Sequence, residues 1–194
     1  MKKKVLVIIA HPDDEVIWMG GTLLKNKDNW DTTIICLCRK DDSDRYPRFK
    51  KFCDMIKVKG LISDLEDETL EDIPLGEVIK RINLFIPENK KYDYVFTHGL
   101  NGEYGHKRHI DVHKAVKKML KDKTISGNSV FFFSYIKKNG FCHPNKKSNK
   151  FINLNHIEWL MKKRIIKEVY GFKEDSFENK CCSNVETFKT EIIK

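Results

Sequence analysis

Apolar and polar positions alternate between two rhythms along this chain. Val5-Leu6-Val7-Ile8-Ile9-Ala10 is an unbroken aliphatic run, the pattern of a short parallel strand buried on both faces. From Asp14 to about Lys27 the spacing lengthens. Val16, Ile17, Met19, Leu23 and Leu24 mark one helical face there, and Gly20-Gly21 weakens the helix locally while letting another backbone pack close. Strand character returns over Thr32–Cys38. A polar loop (Arg39–Arg45), a helix (Arg48–Lys59), a short strand (Gly60–Ser63) and an acidic loop (Asp64–Asp72) follow. Beyond them the pattern predicts a helix over Leu75–Phe85, a strand over Asp93–Thr97, a helix from near His106 to near Asp122, a strand over Val130–Ile136 and a helix over Ile157–Tyr170. The final stretch, roughly twenty residues, is weakly patterned.

Strands alternating with helices through short connections predict an α/β fold, a mainly parallel sheet covered by helices. With 194 residues and no repeat, low-complexity tract or Pro/Gly-rich linker, residues 1–194 read as a single domain.

Chemistry enters where the first strand stops. His11-Pro12-Asp13-Asp14-Glu15 stands at its carboxyl end, the edge at which open α/β sheets bind ligands. Pro12 fixes the bend, the carboxylates suit a helix's first turn, and His11 and Asp14 can reach one ion across the turn. The second stretch, Thr97-His-Gly-Leu-Asn-Gly-Glu-Tyr-Gly-His-Lys-Arg-His-Ile-Asp-Val-His113, also follows a strand. Its glycines allow tight folding and close approach to a ligand. His106, His109 and His113 share one helical face by spacing. A catalytic zinc takes three protein ligands of this kind and keeps one position open; His11 and Asp14 offer two, and one of the helical histidines a third.

These two stretches together, Ala10-His-Pro-Asp-Asp-Glu15 and Gly105-His-Lys-Arg-His109 after an Asn-Gly-Glu-Tyr loop, resemble the PIG-L/LmbE-type zinc-dependent N-deacetylases over roughly the first 125 residues. The resemblance implies a Rossmann-like three-layer sandwich with helices on both faces of the sheet. It also implies a hydrolase that removes the acetyl group from an N-acetylglucosamine-type amino sugar carried as a conjugate. Residue by residue it implies zinc held by His11, Asp14 and His109, with Asp13 the general base and His106 stabilising the oxyanion. Tyr104, Arg45 and Arg48 would contact substrate, and 126–194 would shape the aglycone side. Fe2+ or another divalent ion would suit the same ligands. Asp111 and Glu15 are candidate acceptors for the ligand imidazoles, and His113 is a supporting residue. One departure stands out: many relatives carry Pro-Asp between the two histidines, where this chain has Lys107-Arg108.

Composition narrows the partners. A hydrophobic share of 40% and a charged share of 34% are those of an ordinary globular protein. The net charge of +9 comes from scattered lysine clusters, with no Arg-rich run or aromatic-interleaved basic stripe, so no nucleic-acid partner is expected. The lysines make a basic surface that can attract an anionic sugar conjugate. The 6 cysteines contain no Cys-x-x-Cys pair and read as reduced thiols. Lys2–Lys4 and the aliphatic run imitate a signal peptide, but the core is too short and lacks a cleavage site. No run is long enough to cross a bilayer. A cytoplasmic protein without membrane insertion is expected, with homo-oligomerisation left open. Two other readings stand beside the sugar deacetylase: a zinc amidase or esterase on a non-sugar substrate, and a non-enzymatic Rossmann-like protein that binds polyanions with strong salt dependence.

Overall fold

The computed structural model describes residues 1–86 and 91–192. In chain order these form β1 (Lys3–Ile9), α1 (Asp14–Asn26), β2 (Trp30–Cys36), α2 (Arg45–Ile56), β3 (Lys59–Ile62), α3 (Leu75–Asn83), β4 (Lys91–Thr97), α4 (Gly102–Gly105) and α5 (Lys107–Lys121). Then come β5 (Ser126–Phe133), β6 (Tyr135–Lys138), β7 (Phe141–Pro144), β8 (Lys150–Asn153), α6 (His156–Glu168), α7 (Phe177–Cys181) and β9 (Val185–Ile192).

Seven strands make one sheet in the order β3-β2-β1-β4-β5-β9-β8. The first five run parallel, whereas β9 is antiparallel to both its neighbours. The aliphatic run of β1 is explained by its central place. Val5, Val7 and Ile9 enter one core, with α1, α2 and α6; Leu6, Ile8 and Ala10 enter the other, with α3 and α5. Both faces are therefore dry, each buried aliphatic side chain contributing about 1.5–3 kcal/mol, and the fold is the α/β one expected. Chain order reverses between β1 and β4, so their carboxyl ends open a crevice at the switch point. Helix α5 packs through Val112, Ala115, Val116, Met119 and Leu120, a stripe at helical spacing. The same stripe continues back to His109 and delivers it to that crevice.

Three boundaries differ from the sequence reading. Helix α2 begins at Arg45, before Pro47, because Asp42 Oδ1 accepts the backbone N–H groups of Asp44 (2.9 Å) and Arg45 (2.8 Å); a proline is tolerated in a first turn. The expected Val130–Ile136 strand is divided at Ser134, and Tyr135 opens a hairpin turned by Asn139 (φ 52°) and Gly140 (φ 88°), the positive-φ pair of a tight hairpin turn. The weakly patterned end contains β9, a strand inside the sheet.

That strand looks polar because its buried acid is fully paired. Glu186 has no exposed surface, and its partner Lys162 on α6 is equally buried. The Lys162 ammonium donates to Glu186 Oε1 at 2.8 Å, as does Gly21 N–H, while Thr22 N–H and Thr22 Oγ1 donate to Oε2 at 2.8 and 2.6 Å. Helix α1 kinks at Met19 (φ −147°), which frees those two amides, and the carboxylate caps the second half of the helix like a ligand at a helix N-terminus. Breaking one partner of such a buried pair strands the other charge. Lys162→Met is expected to cost about 3–5 kcal/mol in urea unfolding, with part recovered in Lys162→Met/Glu186→Gln. A loss below 1 kcal/mol would mean that the pair is dispensable.

Candidate active site

The loop after β1 is built to aim side chains. Asp13 takes φ 116°, a conformation that costs an L residue about 1–3 kcal/mol and persists only where the surroundings impose it. Two carboxylates impose it here. His11 N–H donates to Asp14 Oδ2 at 2.8 Å, and Asp13 N–H donates to Glu15 Oε2 at 3.2 Å. Trp18 Nε1 donates to Asp14 Oδ1 at 2.8 Å from one helical turn on.

Against this loop stand the residues that follow β4. Glu103, another residue at positive φ (57°), is completely buried. Its Oε2 accepts from His109 Nδ1 at 2.6 Å and from His98 Nδ1 at 2.8 Å, and its Oε1 accepts Gly99 N–H at 2.7 Å. Gly99 has to be glycine, since a Cβ there would come within 2.2 Å of the Phe133 carbonyl oxygen. With its Nδ1 proton committed to Glu103, His109 turns the lone pair of Nε2 into the crevice.

There it meets two further donors. His11 Nδ1 lies 3.1 Å from His109 Nε2. Asp14 Oδ2 is 3.4 Å from His11 Nδ1, and Asp14 Oδ1 is 3.4 Å from His109 Nε2. Two imidazole nitrogens and a carboxylate converging at such distances repel one another unless positive charge lies among them. A proton on His11 can serve: burial opposes charge on the ring, but Asp14 and Asp67 hold its pKa up at about 9. Burial likewise opposes ionisation of Asp14, yet His109 and His98 hold it well below the usual carboxylate range. A divalent cation in place of the proton satisfies all three donors, and the two-imidazole, one-carboxylate set is that of a catalytic zinc.

Three overlapping groups of donors lie close enough together to hold an ion: His11, His106 and His109; Asp14, His98 and His109; and His11, Cys38 and Asp67. The last two fit less well. His98 comes within ligand distance of Asp14 and His109, but its Nε2 already accepts Ala10 N–H at 2.9 Å. Cys38 approaches His11 and Asp67, but burial pushes its thiol well above the usual range and keeps it protonated.

The cleft outside this centre measures about 170 Å³, and Asp13, Arg39, Arg45, Asp67, Tyr104, His106 and Phe177 are among its walls. Asp13 Oδ2 receives a 2.6 Å hydrogen bond from Arg45 Nη1. Burial and the charge on Asp14 raise the Asp13 pKa to about 7 against the pull of Arg45. His106 stands edge-on to His11, with centroids 4.6 Å apart. Its buried Nδ1 has no hydrogen-bond partner among the described residues, and burial, helped by His109 and His11, lowers its pKa to about 4.

All five residues expected to bind metal or to catalyse (His11, Asp13, Asp14, His106 and His109) thus come together. Of the three expected substrate contacts, Tyr104 lines the cleft, packed 5.0 Å from Phe177 between ring centroids. Arg45 also lines it but spends its guanidinium on Asp13 and the Pro12 carbonyl. Arg48 lies elsewhere, tied to Asp44 at 2.7 Å and to the Val169 carbonyl at 3.3 Å. The expected acceptors differ too. Asp111 pairs with Arg108 at 2.9 Å, Glu15 with Tyr170, and the imidazole partners are Glu103 and Asp67. His113 donates from Nδ1 to the His98 carbonyl at 2.9 Å, a support for the loop.

Comparison with known proteins bears on this geometry. The family profile described as PIG-L, GlcNAc-PI de-N-acetylase, matches residues 6–120. The uncharacterised protein L374 of Acanthamoeba polyphaga mimivirus is 28% identical over 190 residues, covering 89% of this chain and 78% of its own length. Among solved structures, N,N′-diacetylchitobiose deacetylase from Pyrococcus horikoshii aligns with a TM-score of 0.70 at 20% identity, over 98% of this chain and 84% of that one. GalB, the 4-carboxy-2-hydroxymuconate hydratase of Pseudomonas putida KT2440, aligns at 0.69 and 14% identity, over 100% of this chain and 98% of that one. Among the described residues no helix is long and apolar enough to cross a membrane.

Partners that orient a ligand imidazole are commonly worth 10–100-fold in metal affinity. Glu103→Gln is therefore expected to weaken Zn2+ binding about 10–100-fold in competition with a chelator, and His109→Ala to abolish stoichiometric uptake. Unchanged affinity in both variants would show that the donors gathered here hold no ion.

Proposed function

The chain belongs to the PIG-L, GlcNAc-PI de-N-acetylase, family, and from that premise we propose that residues 1–194 act as one metal-dependent deacetylase domain, hydrolysing the acetamide of an N-acetyl amino sugar conjugate. The observation that carries this reading is the convergence of His11 Nδ1, His109 Nε2 and Asp14 with the Asp13 carboxylate beside them. The fold alone would not carry it, since a deacetylase and a hydratase share it. His11, Asp14 and His109 would hold the ion. An amide is a poor electrophile, and a bound divalent cation such as Zn2+ or Fe2+ both polarises its carbonyl and provides hydroxide at neutral pH.

The chain's own residues do the rest. Asp13 accepts a proton from the attacking water at Oδ1 or Oδ2 and passes it to the leaving nitrogen, a task suited to a carboxyl with a raised pKa. Arg45 holds that carboxylate in place and limits the rise. His106 is neutral at physiological pH, so it contributes an N–H toward the developing oxyanion and not a proton to the amine. Helices α1 and α5 both begin at the site, so their positive ends also favour negative charge there. Tyr104 supplies an aromatic wall. Arg39 and Arg45 are each bound to a carboxylate of the cleft, Asp67 and Asp13. With Asp14 and Glu178 also in its walls, the cleft is not a basic one, so the net charge of +9 is carried elsewhere on the surface and the site does not select for an anionic group.

The test is amine release from a panel of N-acetylglucosamine conjugates by the Zn2+-loaded protein. Asp13→Asn is expected to keep its metal and lose turnover by two to four orders of magnitude, roughly the contribution of a general base. Arg45→Met removes the charge that depresses the Asp13 pKa. The acidic limb of the kcat/KM profile should then move to higher pH, because Asp13 must be ionised to accept a proton. Full activity in Asp13→Asn would remove it as the base, and amine release only from non-sugar amides would replace the sugar substrate with the wider amidase reading.

A further inference from the structure

The dipeptide between the two motif histidines is fastened to the acidic loop that joins β3 to α3. Lys107 Nζ lies 2.7 Å from Asp72 Oδ1 and donates to the Leu70 carbonyl at 2.6 Å. Arg108 is buried although it is an arginine. Its Nε donates to the Glu66 carbonyl, its Nη2 to the Glu66 carboxylate, and its Nη1 to Asp111 Oδ2 at 2.9 Å. The residue after Glu66 is Asp67, which reaches the site. Asp67 Oδ1 stands 3.0 Å from His11 Nε2, and Arg39 grips Asp67 Oδ2 from the other side through Nε (3.0 Å) and Nη2 (2.8 Å).

Asp67 meets His11 as an ion-pair partner and not through a formed hydrogen bond, and neither atom has a hydrogen-bond partner among the described residues. A contact of that kind does not hold itself together; the loop has to be held for it. His109 has its own anchor in Glu103, so whatever holds the loop bears on His11 alone.

We infer that Lys107-Arg108 is a clamp that fixes the acidic loop at the edge of the cleft, and that Arg108 is a positioning residue that keeps Asp67 against the metal-binding His11. Two planar guanidinium groups, Arg108 and Arg39, grip consecutive residues of the loop, which gives a fixed orientation that flexible ammonium groups would not. Asp67 then sets the plane of the His11 ring and directs Nδ1 toward Asp14 and His109. The inference rests on the proposed metal-binding role of His11.

Co2+ titration of the purified full chain, followed by its visible ligand-field absorption, tests it. Arg108→Met and Asp67→Asn are each expected to weaken Co2+ binding about tenfold. The double variant should bind no more weakly than Asp67→Asn alone, because residues acting through one contact are not additive. Amide hydrogen exchange over 64–72 should accelerate in Arg108→Met while that of α5 beyond its first turn stays unchanged. Should Arg108→Met fail to fold, Glu66→Ala removes the carboxylate half of the grip and leaves the bond to the Glu66 carbonyl, and is expected to show a smaller loss with the same non-additivity. Wild-type affinity in Arg108→Met and Glu66→Ala, or a loss that persists in full on the Asp67→Asn background, overturns the clamp. A wild-type chain that binds no Co2+ overturns the metal reading itself and the clamp with it.

Discussion

A carboxylate sealed from water, Glu103, accepts two imidazole N–H groups and one backbone N–H. Hydrogen bonds to a charged group of this kind contribute about 1.5–3 kcal/mol each, enough to offset the positive φ at which Glu103 sits. Its effect on the site is larger than its stabilisation. By taking the Nδ1 protons of His98 and His109 it decides which nitrogen of each ring is free. His98 is thereby set to receive Ala10 N–H, which ties the end of β1 to the end of β4, and His109 is set to face His11 and Asp14. The sheet's crevice, the motif loop and the start of α5 meet through this one side chain.

The run Asp13-Asp14-Glu15 shows how surroundings separate like groups. All three carboxyls are buried, and three neighbouring charges in a dry site would be prohibitive. Asp14, ringed by histidines, stays ionised. Asp13, balanced between burial and Arg45, is poised near neutrality at about 7. Glu15, which accepts the Tyr170 hydroxyl, is raised to about 8, chiefly by burial. Environments that push neighbouring pKa values apart can divide roles among chemically similar acids: one stays charged, one is poised to exchange a proton, and one holds the turn.

Much of this was legible in the chain. The aliphatic β1, the polar cluster at its end and the helical spacing of His106 and His109 depend on local pattern, and the fold follows from strand–helix alternation. What stayed hidden depends on distant partners. Glu103 lay among glycines in a loop where nothing local distinguishes a buried acid from a solvated one. His98 directly follows a central strand, as His11 nearly does, and that placement was a usable signal. Asp67 belongs to a run of acids that reads as a solvated loop until Arg39 and Arg108 are seen to grip it. Strand β9 escaped because a buried Glu186 defeats an apolar pattern when a lysine from another helix neutralises it.

That same Glu186 lies 165 residues from Gly21, whose amide it caps. The five residues that meet in the crevice, from His11 to His109, all precede it by a wide margin in the chain. As the polypeptide is made, every donor of the centre is present long before the helix that begins at Asp14 receives its buried anion. Contacts this remote demand loop closure before they repay it. The helix that carries Asp14 therefore receives its buried anion only from β9, and a shortened chain that keeps every motif residue lacks the support on which the motif helix rests.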